Sequence, residues 1–548
     1  MALPDGFLAE LQGNFRGDLV TDQATLIALS HDASLFEVVP SLVAYPRDVA
    51  DLAWLIKSAN QHPNTSLTAR SGGTDMSGGA INDSVVVAFD RYFTGMGEIN
   101  DSRVTVQPGV YYRDFEPKTL EKGLLLPTYP ASREICMIGG MAANNAGGEK
   151  SLVYGKTDRF VAQVKIVLTD GLEHVFRPLN KAELDQKLAA TGLEGDLYRG
   201  VYQLVTKHQI LLNKAKPHVS KNSTAYNLWD VWDGTTFDMT KVIIGSQGTL
   251  GLLSEVTFQL VPAQPLSGMV VAFLPSLNRL GDIINALLEL KPTSLESFDE
   301  HTLKFAFRFF LSFRKSLGLK RFVLLGLSFI PVLNKLLRYF PHLPKIVMLV
   351  EFEGDDQAAI DKKLQAVMER LQELNIETQK AKTRHQEEKF WIMRRESFNI
   401  LRKNVKRKHA APFIDDLIVP PATLPDFLPK LTEILERYKL QYTIAGHMGD
   451  GNFHIIPLMS LQDASERAKI YPVLEEVTDL VLSYHGSLSG EHNDGLIRGP
   501  MLERMYGKDM LAVFKQVKTL FDPKNIFNPH KKTDASLAFS KSHIRESF

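Results

Sequence analysis

Arg70-Ser71-Gly72-Gly73-Thr74-Asp75-Met76-Ser77-Gly78-Gly79 follows a short run, Ser66 to Ala69, that reads as a strand, and it holds four glycines in ten residues. Such a loop can turn successive backbone N–H groups toward one point and let a pyrophosphate approach the main chain without interference from Cβ atoms. A second cluster, Ile138-Gly139-Gly140-Met141-Ala142-Ala143-Asn144-Asn145-Ala146-Gly147-Gly148, runs on into Ser151-Leu152-Val153-Tyr154-Gly155. A third is Gly245-Ser246-Gln247-Gly248-Thr249-Leu250-Gly251. Three such loops in one half of a chain are hard to explain as independent turns. None of them contains G-x-G-x-x-G, so a Rossmann nicotinamide site is unsupported. Gly155-Lys156-Thr157 looks like the end of a P-loop, but Lys150 stands where that motif needs its first glycine.

The surrounding pattern is α+β. Ser41 to Tyr45 and Ser84 to Phe89 read as buried strands, with a helical stretch from Asp48 to Asn60 after the first. Past Pro262 the texture changes. Leu266 to Phe273, Ile346 to Phe352 and Tyr442 to Pro457 read as strands of another sheet, with long helices such as Asp356 to Leu374 between them. Tyr471 to Phe521 is mostly helical.

The 548 residues point to roughly two to four domains. With 44% hydrophobic and 23% charged residues, the composition is that of a globular protein and excludes disordered, collagen-like and coiled-coil readings. Lys+Arg and Asp+Glu are 63 each, so no global charge favours nucleic acid as a partner. The single cysteine, Cys136, excludes an intrachain disulfide and an iron-sulfur cluster held by this chain alone. No apolar run is long enough to span a membrane, and Met1 to Gly6 carries no basic run or apolar stretch, so a cytoplasmic protein is expected. One segment stands apart. Residues 301–350 hold nine Lys and Arg and no Asp or Glu, which leaves −9 for the rest of the neutral chain. Phe305, Phe309, Phe313 and Leu317 recur every fourth residue beside Arg308 and Lys315. That pattern fits either a basic amphipathic insertion at about 303–345 lying on an anionic membrane surface, or one packed on its own domain.

Gly446-His447-Met448-Gly449-Asp450-Gly451-Asn452-Phe453-His454 reads as strand, tight turn, strand, a way to bring two imidazoles to one face as ligands of a divalent metal. Ser487-Leu488-Ser489-Gly490-Glu491-His492-Asn493-Asp494-Gly495 offers a carboxylate beside a third histidine. Trp391-Ile392-Met393-Arg394-Arg395-Glu396-Ser397 supplies guanidinium groups whose fork suits a carboxylate.

The three glycine loops, in this order and spacing, resemble the FAD-binding domain of the vanillyl-alcohol-oxidase type flavoproteins. Within that group the chain is most similar to the branch of D-lactate dehydrogenase, the glycolate oxidase flavin subunit and D-2-hydroxyglutarate dehydrogenase, from about Pro40 to Lys531. The resemblance implies an α+β fold with a two-subdomain FAD-binding (PCMH-type) domain over 1–262. An antiparallel-sheet substrate domain with flanking helices would follow over 263–510, and a C-terminal helical segment, 511–548, would return to the first domain. It implies that Arg70, Ser71, Gly72, Gly73, Thr74, Asp75 and Ser77 cradle the FAD pyrophosphate. Pro130, Ser132, Ile138, Gly139, Gly140, Asn145 and Gly148 would surround the isoalloxazine and ribityl chain, with Gly245, Gly248, Thr249, Leu253 and Asn528 completing the pocket. Related oxidases with covalent flavin place a His where this loop has Thr74, so noncovalent FAD is expected. Gln247 stands where the branch usually has Glu, Cys136 where Thr is more usual, and Asn493 where a glycine is more often found.

Carried over on the same basis, His447, His454 and Glu491 are the ligands of a divalent metal, expected to be zinc, and His492 is the general base. Arg394 binds the substrate carboxylate, with Arg395 as the fallback, and Arg498 shapes the pocket. Hydroxyglutarate-type members place a Lys where this chain has Ile414, which leaves the substrate open. The expected activity is oxidation of a small D-2-hydroxy acid (D-lactate, glycolate or D-2-hydroxyglutarate class) to the 2-oxo acid, with electrons passed to a quinone or a redox-protein partner. The motifs Glu134 to Gly140 and Glu491 to Arg498 look most like those of flavin halves of longer bacterial proteins that continue into an iron-sulfur region, and with one cysteine here any such cluster would lie on a separate iron-sulfur partner. With the basic segment the likeness implies a cytoplasmic enzyme peripheral on the inner face of the membrane. The rival readings are a non-catalytic flavin relay subunit and a flavin-adduct transferase of the alkylglycerone-phosphate synthase type, whose run of adjacent histidines is absent. A metal-dependent hydrolase would leave the three glycine loops unexplained.

Overall fold

Short runs of Val, Leu and Ala build the first sheet, as expected of parallel strands covered on both faces. Strands β2 (Leu42–Tyr45) and β4 (Val85–Ala88) are buried at every residue. β4 pairs in parallel with β2 and with β3 (Leu67–Arg70), and β1 (Asp18–Val20) adds antiparallel to β2, giving the order β1-β2-β4-β3. The helix Val49–Gln61 leads from β2 toward β3. Asp48 caps it by accepting from the amides of Ala50 and Asp51. Its Leu52, Leu55, Ile56 and Ala59 share one face at helical spacing and pack on Leu67, Val85 and Val87. Each buried aliphatic side chain contributes about 1.5–3 kcal/mol.

The computed structural model describes residues 3–300, 343–404 and 408–546, apart from the side chains of 396–404. A second sheet is antiparallel, with β5 (Arg103–Val106), β7 (Val161–Val167), β8 (Glu173–Phe176) and β11 (Leu252–Gln259) in the order β5-β11-β7-β8. β11 alternates buried and half-buried residues along its length, the pattern of a strand with one covered face. Two small pairs accompany it: β6 (Leu124–Leu125) with β12 (Val261–Pro262), and β9 (Pro178–Asn180) with β10 (Thr236–Asp238).

The third sheet is larger and antiparallel throughout. Its strands are β13 (Leu266–Leu274), β14 (Ser294–Asp299), β15 (Ile346–Gly354), β16 (Glu377–Lys380), β17 (His409–Ala410), β18 (Leu417–Ile418), β19 (Tyr442–His447) and β20 (Asn452–Met459). They run in the order β16-β13-β15-β14-β19-β20-β17, with β18 also on β20. The helix Gln357–Glu373 buries Ile360, Leu364, Val367 and Leu371 and packs on β13, β15 and β16.

The chain forms two compact units. The first is assembled from three segments, Met1–Gly148, Gly155–Ala263 and Ser487–Arg545, and carries the first two sheets. The second takes Glu149–Tyr154 and Gln264–Gly486 and carries the third sheet. The basic insertion expected at about 303–345 lies almost wholly outside the described residues. Among the described residues, no helix is long and apolar enough to cross a membrane.

Candidate active site

The first unit holds a cleft of about 780 Å³ of empty space, part of it open to solvent. All three glycine loops line it. Ser71, Gly72, Gly73, Thr74, Asp75 and Gly79 come from the first loop. Gly139, Gly140, Ala143 and Asn144 come from the second, and Ser246, Gln247, Gly248 and Gly251 from the third. Leu253 adds a side chain from β11.

Asp75 organises the first loop. Its Oδ2 accepts from the amides of Ser77 and Gly79 at 3.0 and 2.6 Å and from the Ser77 hydroxyl at 2.8 Å, and its Oδ1 accepts from Asn144 Nδ2 at 2.7 Å. Two glycines have no alternative. Gly73 has φ +63°, and a Cβ there would lie 2.3 Å from the Arg70 guanidinium. A Cβ on Gly139 would lie 2.5 Å from Pro108 and 2.7 Å from the Ser71 hydroxyl. Side chains at these positions would collide with the frame that holds the loops, whereas glycines leave bare main chain lining the cleft, so the residues present fit FAD.

The other expected cofactor residues are not among those lining this cleft. Arg70 is buried and directs its guanidinium at the carbonyls of His31, Leu29 and Ala80. Asn528 donates to Gly79 O at 2.8 Å and Gln247 O at 2.6 Å and accepts from Thr68 Oγ1 at 3.0 Å, tying the first loop to the third. Gln247 donates to Ser77 Oγ and Asn144 Oδ1 and accepts from the Gly495 amide, so its NH2 group satisfies two acceptors that a Glu would repel. Thr249 exchanges a hydroxyl hydrogen bond with Tyr226 at 2.8 Å. Asn145 closes the helix Ile138–Asn144 in the left-handed region and accepts from the Asp158 amide. Gly245 donates to Ala142 O, Gly148 abuts Tyr129 O, and Ser132 O accepts from the amides of Ile135 and Cys136, just past Pro130. Burial pushes the Cys136 thiol up to about 12, which removes it as a nucleophile.

The loop Ser487–Gly495 also belongs to the first unit. Glu491 is buried, and its Oε2 pairs with Lys221 Nζ at 2.8 Å. A Cβ on Gly147 would lie 2.7 Å from that same oxygen, which is why a glycine stands there. His492 Nε2 is 3.8 Å from Glu491 Oε1, and its side chain is 22% exposed against 6% for Glu491, the more open of the two. Arg498, 1% exposed, donates to Asn493 O and supports the loop from inside. The segment Lys221–Ala225 runs alongside: Ser223 N donates to Ser489 O, Ser487 Oγ to Asn222 Oδ1, and Ala225 N to Asp494 Oδ2. Lys156 Nζ donates to Ser223 Oγ, so the residue mistakable for a P-loop lysine props this segment.

In the second unit, β19 and β20 are joined by a 3₁₀ turn, Met448–Asp450, and by Gly451 at φ +70°. His447 ends β19, His454 is the third residue of β20, and their rings lie 5.2 Å apart and nearly perpendicular. A buried carboxylate holds Nδ1 of each. Glu296, directly opposite His447 in the β14–β19 register, has Oε1 at 2.5 Å, and Asp415 Oδ1 lies 3.1 Å from His454 Nδ1. Carboxylates only accept, so each Nδ1 is the donor of its pair. This is the outer arrangement that imidazole ligands of metals carry, so the donor set fits a divalent cation.

The helix Arg384–Asn404 supplies the arginines. Arg394 Nε lies 3.4 Å from Glu296 Oε2, so one carboxylate serves both Arg394 and His447. Arg395 is engaged as a fork, Nε and Nη2 each 2.5 Å from the two oxygens of Glu149. Ile414 is fully buried beside Asp415. The sequence-derived set divides between the units: Glu491 and His492 in the first, His447, His454, Arg394 and Arg395 in the second.

Sequence reasoning missed Glu296, Asp415, Lys221 and Lys156. All four are charged and buried, and charged residues are read from sequence as solvent-facing. The one available signal was Glu296 and Asp299 interrupting a β14 that is buried throughout.

Residues 40–176 match the family described as FAD binding domain, and residues 266–532 that described as FAD linked oxidases, C-terminal domain. The chain is similar to the D-2-hydroxyglutarate dehydrogenase of Escherichia coli strain K12, 29% identical over 544 residues covering 96% of this chain and 51% of the relative. It thus spans about half the length of that relative. It is also similar to the D-lactate dehydrogenase of Archaeoglobus fulgidus, 24% identical over 515 residues covering 91% and 95%. Among solved structures, 4-ethylphenol oxidase from Gulosibacter chungangensis superimposes with a TM-score of 0.68 at 14% identity, covering 98% of this chain and 100% of the other. Alkyldihydroxyacetonephosphate synthase does so with 0.67 at 16%, covering 96% and 86%; at these identities both show the fold alone. Glycine-lined cleft, α+β architecture and matched families agree: the chain carries an FAD binding domain over residues 40–176 and the C-terminal domain of FAD linked oxidases over 266–532, in a fold shared with those solved structures.

Proposed function

We propose that this chain is an FAD-dependent, metal-assisted dehydrogenase that oxidises a D-2-hydroxy acid to the 2-oxo acid and passes the electrons to a quinone or a redox-protein partner. The observation that carries the reading is the His447/His454 pair, each imidazole held by its own buried carboxylate, in a chain that also carries the glycine-lined cleft. The relatives named D-2-hydroxyglutarate dehydrogenase and D-lactate dehydrogenase support the substrate class.

The residues divide the work. Ser71 to Asp75 with Gly139, Gly140 and Gly248 hold FAD noncovalently, and FAD, when bound, supplies the two-electron acceptor. His447, His454 and Glu491 hold the divalent ion, with zinc the expected metal, and such an ion supplies Lewis acidity at the substrate hydroxyl. His492, the more exposed member of its loop, accepts the hydroxyl proton. Arg394 pairs with the substrate carboxylate; Arg395 is already engaged with Glu149 and serves the helix. The basic, aromatic stretch 301–350 docks the enzyme on the inner face of the membrane near its acceptor, and a separate protein carries any iron-sulfur cluster.

The test is an anaerobic visible spectrum of the FAD- and metal-loaded protein during addition of D- and L-2-hydroxy acids. Bleaching of the oxidised-flavin band by a D-acid, lost in His492→Ala with flavin still bound, is the expected result. A flavin band that no acid bleaches would overturn the dehydrogenase reading in favour of an electron relay.

A further inference from the structure

Asn493 follows the proposed base and occupies the left-handed region at φ +69°, where glycine and Asn are the residues tolerated with least strain. It is fully buried, and its polar atoms are engaged by four separate segments. Nδ2 donates to Gly245 O at 2.8 Å and to Asn144 O at 3.3 Å. Oδ1 accepts from Lys532 Nζ at 2.6 Å and from the Asp494 amide at 2.8 Å. The main-chain amide donates to Ser489 Oγ at 2.7 Å, and the carbonyl accepts from Arg498 Nη1 at 2.8 Å.

Two of these partners belong to the cofactor loops. Asn144 lines the cleft and donates to Asp75, the organiser of the first loop; Gly245 opens the third loop. A hydrogen-bonded path therefore runs from the loop of Glu491 and His492 through Asn493 and Asn144 to Asp75. No other residue type meets all the demands of the position. Glycine keeps the backbone and loses every side-chain bond. Aspartate keeps the acceptor for Lys532 but turns an oxygen toward two carbonyls. Serine is too short to span both sides.

We propose that Asn493 is a positioning residue that fixes the loop bearing Glu491 and His492 to the second and third glycine loops, so that FAD retention and the placing of His492 depend on one side chain. The part concerning His492 rests on the proposed function; the part concerning FAD retention does not.

The test compares Asn493→Gly, Asn493→Asp and His492→Ala as full-length protein, with FAD dissociation measured on flavin-stripped protein and steady-state kinetics at saturating FAD and metal. Asn493→Gly is expected to weaken FAD binding by about tenfold, the scale of losing buried hydrogen bonds. At saturating FAD it should lower kcat by about tenfold or more while KM stays within about threefold, the split of a misplaced reacting group. Asn493→Asp is isosteric, keeps the acceptor for Lys532 and replaces the two donor bonds by an oxygen facing two carbonyls, so it decides the matter if the glycine variant fails to fold, and losses at least as large are expected. His492→Ala should lose turnover with FAD affinity unchanged. FAD affinity within about twofold of wild type in both Asn493 variants, with kcat retained at saturating FAD, would reduce Asn493 to a turn residue and overturn the proposal. Retained turnover in His492→Ala would overturn the base reading, while the FAD arm still decides the coupling.

Discussion

Glu296 sits opposite His447 across the β14–β19 ladder and also approaches Arg394, so one buried side chain serves the expected metal and the expected substrate anion. Glu296→Gln keeps the shape and an acceptor but removes the charge that polarises the imidazole. Metal affinity is expected to fall about 10–100-fold, the usual effect of losing such a partner, read by competition against a chromophoric chelator. Lys221 presents the parallel case in the first unit. Lys221→Met would leave Glu491 a buried carboxylate without its ammonium, at a cost of about 3 kcal/mol or more in stability measured by denaturant unfolding. Glu351 supplies a pH effect. Burial, then the neighbouring Glu353, raises its carboxyl from 4.5 to about 8, while Trp391 Nε1 donates to it at 3.1 Å. The folded protein therefore holds a proton that the unfolded chain has released, and stability falls as pH rises from about 4.5 to about 8. Asp32, raised to about 7 by burial and by Asp75, adds a loss of the same sign. Glu351→Gln is expected to remove its part: a melting series should show the variant gaining on wild type by more than about 1 kcal/mol between pH 5 and pH 8. These carboxyls were illegible in the sequence because burial depends on which strands become neighbours, and no residue type records that.

At the scale of elements, legibility is better where a local rule is strong. The His-x6-His stretch is strand, turn and strand as its glycines indicate, because a turn that brings β19 back onto β20 needs a residue at positive φ, and Gly451 provides it. A Cβ on Gly451 would also lie 2.0 Å from Val419 O, beside β18. Gly451→Ala is expected to cost about 2–3 kcal/mol and lower the melting temperature by roughly 4–12 °C in a calorimetric scan. Metal binding by the His447/His454 pair should weaken alongside. The polar run Ser220 to Thr224 was silent for the opposite reason. It belongs to no helix or strand, so it has no periodicity to read, yet it forms the wall along the Glu491 loop.

At the scale of the molecule, the glycine loops indicated the family because they are close in sequence and their spacing survives intact. What they could not indicate is that the first unit is assembled from three separate stretches of chain. FAD contacts expected from all three make the cofactor a stabiliser of that unit. Saturation at about 100 times the dissociation constant should add about 2.7 kcal/mol, visible as an upward shift of one melting transition on titration with FAD.

The last of those stretches has a consequence for biosynthesis. Ile526 to Asn528 lies along the open edge of β3, with Leu67 bridging Phe527 and Thr68 bonded to Asn528 across 460 positions. A ribosome making roughly 5–20 residues per second would deliver the strands around β3 long before the segment that covers them. During that interval the sheet edge is an unsatisfied template for other chains, whereas the Gln264–Gly486 stretch can complete its own sheet as it emerges. Refolding from denaturant should accordingly yield more active protein at low concentration, and the nascent chain is an expected client of holding chaperones until Asn528 is made.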